Sequence, residues 1–372
     1  MRFSIIVPVY NVESFVIGCL NSIHQQPFSD YEVIIINDGS KDNSANLIKD
    51  FIKDKPLFKL YEQENKGLSA SRNTGVSLAQ GEYILFLDSD DTIIENRLLE
   101  LNDFLEINPC ELCLLTWENY FPDALVPVVK YNSHRHFKRM KHTTGRELLF
   151  SMLDKQPDWE LFAWAMCYQR QFYIRENLSF VEGIYFEDMI FNWIALLKAQ
   201  SAITFSDPFI RYLKKREGQI TRDISKKNVQ DRVYVSQYWV DHVGDYNFTI
   251  YEKYMFLCRI STLYFSAIIL VSALKPEQRE DIFEALYGPL ILLNYASNAL
   301  IQSLYTLVKK VGFRKTSRII GSKAVFFFKY RCIQNWSINN FHNIMTFMFY
   351  VEFIRIDKGN YTYWFVRKLC RL

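Results

Sequence analysis

A short apolar run near residue 85 ends in three carboxylates within four residues. The run, Gly81–Leu87, has the near-continuous apolar and aromatic character of a strand that is buried on both faces. Asp88, Asp90 and Asp91 follow it directly. In open α/β sheets, ligands bind outside the carboxyl ends of the strands. Carboxylates this close repel one another unless a positive group neutralises them. Taken alone, the run leaves two interpretations open: a site for a divalent cation, or an acidic turn that caps a helix.

Three earlier apolar runs show the same arrangement. The strands predicted at Phe3–Val9, Tyr31–Ile36 and Phe58–Glu62 alternate with segments of helical periodicity, and polar residues follow each of them. This order is that of an α/β fold with a mostly parallel, Rossmann-like sheet and right-handed crossovers. The carboxyl ends of parallel strands lie along one edge, so we expect the polar clusters to converge on one crevice. The clusters are Tyr10–Asn11, Asn37–Asp38, Asn65–Lys66 and Asp88–Asp91.

Two common nucleotide-binding motifs are absent from the sequence. No GxGxxG follows the first strand, and no GxxxxGKS or GxxxxGKT occurs anywhere. A dinucleotide-type Rossmann site and a P-loop are therefore unsupported. If the crevice binds a diphosphate, a metal ion and side chains must hold it instead.

The character of the chain changes near residues 222–227, where we place a domain boundary. Residues 1–222 form the predicted α/β domain, with a nucleotide-binding half at about 1–95 and an acceptor half at about 96–222. Residues 223–372 are predicted to form a helical domain, because long apolar stripes at helical spacing replace the strand pattern.

Charge is unevenly distributed along the 372 residues. The net charge is +3, but acids outnumber bases by 39 to 31 up to residue 300, and bases lead by 13 to 2 after it. This basic region, 301–372, is also rich in aromatic residues, which predicts attachment to an anionic membrane surface. A homo-oligomer interface and a helical domain with a solvated basic face are the alternatives. No nucleic-acid partner is expected, because the chemistry predicted for the N-terminal domain does not involve nucleic acid.

Signals for export and for membrane insertion are weak. The first apolar run is too short for a signal peptide. No uninterrupted apolar stretch reaches the length of about 18 residues that a membrane span needs. The seven scattered cysteines favour free thiols in a reducing compartment. We therefore predict a cytoplasmic protein that is held peripherally at the inner face of the membrane.

Five stretches of the chain are together similar to the motifs of the family 2 glycosyltransferases, which have the GT-A fold. The resemblance covers about residues 1–222 and implies an inverting transfer of a single hexosyl or N-acetylhexosaminyl group. The implied donor is a nucleotide-diphosphate sugar, with UDP the commonest nucleotide in the family. The implied acceptor is a hydroxyl group, and the membrane attachment predicted for residues 301–372 leads us to expect it on a lipid-linked glycan in bacterial surface-polysaccharide synthesis. The implied cofactor is Mn²⁺ or Mg²⁺. The matching stretches are Ser4–Asn11, Glu32–Ser40, Asn65–Gly75, Gly81–Asp91 and Phe186–Phe191.

The segment Asp88-Ser89-Asp90 resembles the DxD element of the family. By this resemblance Asp90 would ligate the metal ion, and Asp88 would meet the ribose or share the metal shell. His134 and His136 offer a further metal ligand, with a solvated loop as the alternative.

The resemblance also assigns the remaining donor-side residues. Tyr10 would pack on the base or ribose, and Asp38 would accept a hydrogen bond from the base. Lys66 and Arg72 would approach the base or diphosphate, although each could instead be an ordinary surface cation. Arg216 resembles part of a loop that closes over the donor in relatives. The donor-binding set is Pro8, Tyr10, Asp38, Lys66, Arg72, Asp88 and Ser89.

On the acceptor side, an inverting displacement needs a general base opposite the leaving group. The resemblance implies that Asp188 is this general base, because members of the family have their general base in the acidic motif that Glu187 and Asp188 match. Glu187 is the alternative base, and it could instead orient Asp188 or bind the acceptor. Trp164 and Trp159 could form an acceptor-side wall, with a place in the core as the alternative.

Three other functions compete with single-sugar transfer. A processive polysaccharide synthase would carry membrane helices and a QxxRW motif, and the sequence has no QxxRW. A sugar-nucleotide nucleotidyltransferase would carry a Gly-rich loop after the first strand, where Pro8–Asn11 stands instead. A non-catalytic scaffold would not need Asp88, Asp90 and Asp188 intact.

Overall fold

The computed structural model describes residues 1–121, 128–131, 143–155, 161–214, 224–295 and 304–317. The chain divides into two compact units, Met1–Asp223 and Ile224–Leu372. The first unit is α/β, and the second is helical in its described part.

The first unit contains one nine-stranded sheet with the order β3-β2-β1-β4-β8-β6-β9-β5, and β7 pairs with β6. β1 is central and is buried along its whole length. It pairs in parallel with β2 on one side and with β4 on the other, and this is the point where the strand order reverses. The strands are β1 Phe3–Val9, β2 Tyr31–Asn37, β3 Phe58–Glu62, β4 Tyr83–Phe86, β5 Thr92–Ile93, β6 Leu112–Phe121, β7 Val128–Tyr131, β8 Met166–Gln169 and β9 Ala202–Leu213.

The predicted parallel arrangement is confirmed for β1 to β4, whereas the rest of the sheet is mixed. β8 runs antiparallel to both β4 and β6, and it joins the parallel half to the second half. A 3-10 turn, Ala163–Ala165, leads directly into β8. The helices of this unit are α1 Val16–His24, α2 Ser44–Ile52, α3 Leu68–Leu78, α4 Arg97–Ile107, α5 Gly145–Lys155, α6 Arg170–Arg175 and α7 Asp188–Lys198.

The second unit is built around the long helix α9, which is buried over most of its length. Trp239 on α8 and Phe256 on α9 make an edge contact at 4.8 Å between ring centroids. Among the described residues, one segment, Ile250–Ala273, is long and apolar enough to cross a membrane, but 78% of its most apolar window is buried inside the unit. The helices are α8 Lys226–His242, α9 Ile250–Leu270, α10 Glu280–Ala285 and α11, which covers 304–317.

The entry to β4 leaves no room for a side chain at Gly81. A Cβ atom there would lie 2.5 Å from the Ser4 nitrogen and 2.6 Å from the Phe3 carbonyl carbon, and neither backbone atom can move aside. Gly81→Ala is therefore expected to lower the free energy of unfolding by about 1–3 kcal/mol. Gly18→Ala is the control, because Gly18 lies in α1 with nothing within 4 Å of the added carbon. That variant is expected to be stabilised by up to about 1 kcal/mol. Urea unfolding of both variants measures the difference, and equal stabilities would contradict the packing described here.

Candidate active site

The acidic cluster lies directly after β4, as the sequence predicts. The Asp88 side chain is 29% exposed, and Asp90 is also partly exposed. Ser89 between them is buried at 6%, and Asp91 is only 1% exposed. The carboxylates that face solvent at this strand end are therefore those of the predicted metal pair.

Asp91 has a structural partner. Its Oδ1 accepts a hydrogen bond from the N–H of Leu213, at the end of β9, at 2.8 Å. Its own N–H donates to the Asp88 carbonyl at 3.0 Å, which closes the acidic turn. Burial raises the pKa of Asp91, and the charges of Asp90 and Asp88 raise it further. Asp91 therefore fixes the turn to β9.

Arg72 on α3 is the centre of the site. Its Nη2 lies 3.0 Å from Asp88 Oδ1, and its Nη1 lies 2.7 Å from Glu187 Oε1 and 3.4 Å from Asp188 Oδ1. The Arg72 side chain is only 1% exposed. Burial disfavours the charged guanidinium, but the charges of Asp88, Asp188 and Glu187 outweigh it and raise the pKa of Arg72. One buried cation thus joins two acidic motifs that are about a hundred residues apart in the chain.

The surroundings of Arg72 differ from both environments that the sequence left open for it. The alternative of a surface cation is wrong, because Arg72 is buried and its guanidinium pairs with three carboxylates. In this arrangement the side chain orders the carboxylates of the site. Its predicted contact with the base or diphosphate of a donor stays a prediction.

Small residues on α3 let the helix lie close to the sheet. A Cβ atom at Gly75 would come within 2.3 Å of Ile6 Cγ2 on β1. Ser69, Ala70 and Ser71 are also buried on this helix. The close approach brings Arg72 to the strand ends of β1 and β4.

Asn73, the next residue, attaches the second motif to the same helix. Its Nδ2 donates to the Phe180 carbonyl at 3.0 Å, and the N–H of Phe180 donates to Asn73 Oδ1 at 2.9 Å. The guanidinium of Arg72 lies 5.2 Å from the centroid of the Phe180 ring, within the range of a cation–π interaction. Arg72 and Asn73 together hold the segment that leads to Glu187 and Asp188.

Glu187 and Asp188 stand at the start of α7. Glu187 occupies the N-cap position, but its side chain makes no capping hydrogen bond and binds Arg72 instead. Helix capping therefore does not account for this acidic pair. The preceding Phe186 has a φ of 65°, a conformation that is rare and strained for a bulky residue. Such strain is concentrated at functional sites, where the surrounding contacts maintain it.

Asp188 is the more exposed of the two, at 18% against 9% for the side chain of Glu187. Burial raises the pKa of Asp188 well above its ordinary value, and Glu187 adds to the effect. Arg72 and a hydrogen bond from the backbone N–H of Ala163 act in the opposite direction. The result is a partly exposed carboxylate that is oriented from two sides and has a raised pKa.

Asp38 binds groups of the protein itself, whereas the sequence predicted a hydrogen bond to the base of the donor nucleotide. Its Oδ1 accepts from the N–H of Lys66 at 2.9 Å and from Gln63 Nε2 at 2.8 Å, and its Oδ2 accepts from the N–H of Gly67 at 2.8 Å. Asp38 is 3% exposed, so its carboxylate orders the loop between β3 and α3. Its hydrogen bond to a base stays a prediction.

The other predicted nucleoside residues lie at the same strand ends. Pro8 is buried within β1, while Tyr10 immediately after β1 is 46% exposed. Lys66 is exposed in the loop that Asp38 orders. An open aromatic ring and an open ammonium group are therefore present at the edge where the clusters were expected to meet, and their contacts with a donor stay predictions.

The prediction that Trp164 forms an acceptor-side wall is wrong. Its side chain is 2% exposed, because the ring stacks on Phe162 at 4.7 Å and meets the edge of Trp117 at 5.2 Å. The alternative, a place in the core, describes it. Several other predicted residues lie outside the described part of the chain: Trp159, Arg216, His134 and His136.

Asp88 and Asp90 supply the hard oxygen donors that Mn²⁺ and Mg²⁺ prefer. Within the described residues, no group of three or more His, Cys, Asp or Glu side chains is arranged to hold a metal ion. A cation held by two carboxylates needs further oxygens, and substrate phosphates commonly provide them in magnesium sites. The donor set therefore fits a metal ion that binds together with a diphosphate.

Sequence comparison identifies proteins that are similar to this chain. The profile of Glycosyl transferase family 2 matches residues 4–162. The uncharacterized glycosyltransferase EpsJ of Bacillus subtilis (strain 168) is 29% identical over 243 residues, which cover 63% of this chain and 67% of EpsJ. The poly(ribitol-phosphate) beta-glucosyltransferase of Bacillus spizizenii is 30% identical over 233 residues, which cover 59% of this chain and 33% of that protein. The matches thus span from about a third to two thirds of these relatives.

Solved structures share the fold over most of the chain. S. aureus TarS 1–349, determined in complex with UDP-GlcNAc, has a TM-score of 0.67 at 21% identity and covers 91% of this chain and 93% of its own. The mannosyltransferase PcManGT from Pyrobaculum calidifontis, in complex with GDP-Man and Mn²⁺, has a TM-score of 0.50 at 15% identity and covers 87% and 85%. At these identities the likeness shows the fold alone.

Proposed function

Because the chain carries a glycosyltransferase domain of family 2, we propose that it transfers a single sugar from a nucleotide-diphosphate donor to an acceptor hydroxyl with inversion. The observation that carries this proposal is the shared guanidinium. Arg72 brings Asp88 of the predicted metal pair and Asp188, the predicted base, into one site. Inverting transfer needs a leaving-group half and an acceptor half in one site, and neither motif serves the reaction alone.

The donor half comprises the ends of β1, β2 and β4. In our proposal Tyr10 packs on the nucleoside, and the Asp38-ordered loop presents Lys66 to the base or diphosphate. Asp88 and Asp90 would hold Mn²⁺ or Mg²⁺, which supplies positive charge to the departing diphosphate. Structural neighbours that bind UDP-GlcNAc, and GDP-Man with Mn²⁺, support a nucleotide-sugar donor. UDP is the nucleotide we propose.

The acceptor half is built on α7. Asp188 takes the proton of the attacking hydroxyl as the new glycosidic bond forms at the anomeric carbon and the bond to the diphosphate breaks. Arg72 and the Ala163 N–H fix the orientation of the Asp188 carboxylate. Glu187 shares Arg72 and holds it in place between the two motifs.

The rate of transfer is expected to fall at a higher pH than an ordinary aspartate would allow. Burial, followed by the charge of Glu187, raises the pKa of Asp188 above its usual value of 3.8. A general base acts only when it is deprotonated, so kcat/KM decreases as the pH falls through this raised pKa. A pH profile of kcat/KM measures the acidic limb. A rate that stays constant down to about pH 4 would argue against Asp188 as the base.

A donor panel tests the proposed function. The protein is incubated with UDP-glucose, UDP-galactose, UDP-GlcNAc and GDP-mannose, with Mn²⁺ or with a chelator, and released nucleotide is measured. We expect one donor to be hydrolysed in a metal-dependent way, and Asp90→Asn to lower this rate by about a hundredfold or more. A wild-type protein that neither binds nor hydrolyses any nucleotide sugar would favour a non-catalytic scaffold. Formation of a nucleotide sugar from a sugar phosphate would instead favour a nucleotidyltransferase.

We further propose that the acceptor is a lipid-linked glycan of a bacterial surface polysaccharide and that the protein works at the inner face of the membrane. Relatives with glycosyltransferase names, one of them acting on poly(ribitol phosphate), support the polymer class. Helix α11 exposes Lys309, Lys310, Arg314 and Lys315, while Phe313 is buried. Arg314 is paired with Glu280 at 2.6 Å. Basic helices of this kind attract anionic lipid.

Flotation with vesicles tests the membrane proposal. The full-length protein is expected to float with vesicles that contain anionic lipid at low salt, and to float less as salt screens the attraction. Charge reversal at Lys309, Lys310 and Lys315 should weaken flotation without changing donor hydrolysis. A full-length protein that stays unbound at low salt would contradict attachment, and a concentration-dependent dimer in its place would favour the oligomer interface.

A further inference from the structure

Four aromatic rings from three segments pack into one cluster beside the candidate base. Phe162 stacks on Trp164 with ring centroids 4.7 Å apart and planes 13° from parallel. Trp117 on β6 meets both rings edge-on, at 5.7 and 5.2 Å. Tyr212 on β9 lies 5.3 Å from Phe162 and 5.2 Å from Trp164. Five mutual contacts of this kind fix the orientation of each ring.

The cluster has a buried side and an open side. Trp117 and Trp164 are only 1% and 2% exposed, whereas Phe162 and Tyr212 are partly exposed. The ammonium group of Lys214 lies 4.0 Å from the centroid of the Tyr212 ring, and so covers part of it. Phe162 is therefore the ring that stacks on a buried neighbour, Trp164, and is itself partly exposed to solvent.

The backbone around Phe162 is attached to α7 and to β8. Asn192 Nδ2 donates to the carbonyl of Leu161 at 3.2 Å, and the Tyr168 hydroxyl donates to the carbonyl of Ala163 at 3.3 Å. The N–H of Ala163 donates to the Asp188 carboxylate. Phe162 thus stands between two anchored residues, one of which binds the proposed base directly.

The other edge of the cluster reaches the acidic turn. Tyr212 precedes Leu213, whose N–H donates to Asp91 at 2.8 Å. The rings consequently extend from Asp188, the proposed general base, towards Asp88 and Asp90, the predicted metal pair. A substrate group between these two halves would lie against the open side of the cluster.

We propose that Phe162 is the surface on which the sugar ring of the acceptor lies, a role that rests on the proposed function. A pyranose ring has an apolar face of C–H groups that packs well against an aromatic ring, and its hydroxyls remain free to reach Asp188. The attacking hydroxyl must lie within hydrogen-bond reach of the base. Phe162 is next to Ala163, whose N–H donates to the Asp188 carboxylate, and this adjacency is the reason for placing the attacking hydroxyl near the base. The acceptor class is therefore a glycan with a pyranose at its growing end.

Transfer to p-nitrophenyl pyranosides tests this role against hydrolysis of the donor, in which water replaces the acceptor. Phe162→Leu keeps an apolar side chain for packing but removes the aromatic face, and Phe162→Tyr retains the face. We expect Phe162→Leu to lower kcat/KM for the pyranoside by about tenfold. Donor hydrolysis should stay within about twofold, and Phe162→Tyr should behave like the wild type. Phe104→Leu is the matched control, because Phe104 is a partly exposed ring that meets only Phe205 among the ring contacts described, at 5.4 Å.

Three results would overturn the role of Phe162. One is an unchanged kcat/KM for the pyranoside in Phe162→Leu, and another is an equal loss of donor hydrolysis, which would indicate a structural or donor-side role. The third concerns the wild type, which is also given ribitol 5-phosphate as an acceptor. Donor hydrolysis with transfer only to ribitol 5-phosphate, or to neither kind of acceptor, would exclude a pyranose platform. Absence of any nucleotide-sugar hydrolysis in the wild type would instead refute the proposed function itself, so the two failures are distinguishable.

Discussion

Arg72→Met is expected to abolish transfer and to lower the free energy of unfolding by about 3–5 kcal/mol. The substitution leaves a side chain of similar length but removes the one cation, among the residues that the structure describes, that Asp88, Glu187 and Asp188 share. Removing one partner from a buried ion cluster leaves the remaining charges desolvated and uncompensated, and this accounts for the large cost. Urea unfolding and transfer assays measure the two effects.

The control for Arg72→Met is Arg175→Met. Arg175 also pairs with two carboxylates, those of Glu111 and Glu176, but its side chain is 51% exposed. Exposed pairs contribute about 0–1 kcal/mol, so this variant should remain close to the wild type in stability and activity. A wild-type unfolding transition in Arg72→Met would contradict the central place of the guanidinium.

Arg72→Lys separates charge from geometry. An ammonium group restores the positive charge, but it lacks the planar fork with which Arg72 reaches Asp88 through one nitrogen and Glu187 through the other. We expect stability to recover in part while transfer stays low, because the two acidic motifs are no longer held in register. Full recovery of transfer would show that charge alone is sufficient.

Asp188→Asn is expected to lower kcat of transfer by about 10²–10⁴-fold while leaving donor affinity unchanged. Asparagine keeps the shape of the side chain but cannot take the proton of the acceptor hydroxyl. In the proposed site, donor affinity depends on the strand ends of β1, β2 and β4, which the substitution does not alter. Steady-state transfer and titration of UDP with Mn²⁺ measure the two quantities.

Glu187→Gln is the paired variant for Asp188→Asn. Glu187 binds Arg72 at 2.7 Å and has a less exposed side chain than Asp188, so its loss should weaken the cluster and lower transfer by less than the loss of Asp188. A larger effect of Glu187→Gln on kcat, with donor affinity and stability retained, would exchange the two roles.

The sequence was sufficient to predict the parallel half of the sheet in the first unit and the strand ends where the candidate site lies. Continuous apolar runs followed by polar residues have few solutions other than parallel strands with their ends at one edge. The strands that carry Tyr10, Asp38 and Asp88 were predicted for this reason, and the structure and the family match confirm the fold. The antiparallel course of β8 was not predicted, because Met166–Gln169 is too short to indicate a direction.

Side-chain partners were the harder part of the site. Asp38 and Arg72 were expected to face a ligand, but each has protein partners that come from other segments: Asp38 binds the loop at Lys66, and Arg72 binds Glu187. These contacts join residues that are 28 and 115 positions apart, so no local sequence pattern indicates them. What the sequence did contain was an Arg-Asn pair on a helix of small residues, and that pair could have indicated an inward-facing cation.

The aromatic residues show the same limit. Trp164 and Phe162 are two positions apart, yet one is in the core and the other lies at the surface of the cluster. Composition marks the segment as aromatic but does not say which ring is covered. The 3-10 turn decides this, since it places Trp164 behind Phe162.

The configuration of the first product formed tests most directly whether this is an inverting transfer site. Proton NMR during the first minutes of donor hydrolysis distinguishes the two anomers of the released sugar before they equilibrate. With an α-linked nucleotide sugar, a single displacement assisted by Asp188 predicts that the β-anomer is formed first and then converts to the mixture. Release of the α-anomer first, or hydrolysis that Asp188→Asn leaves unchanged, would contradict it.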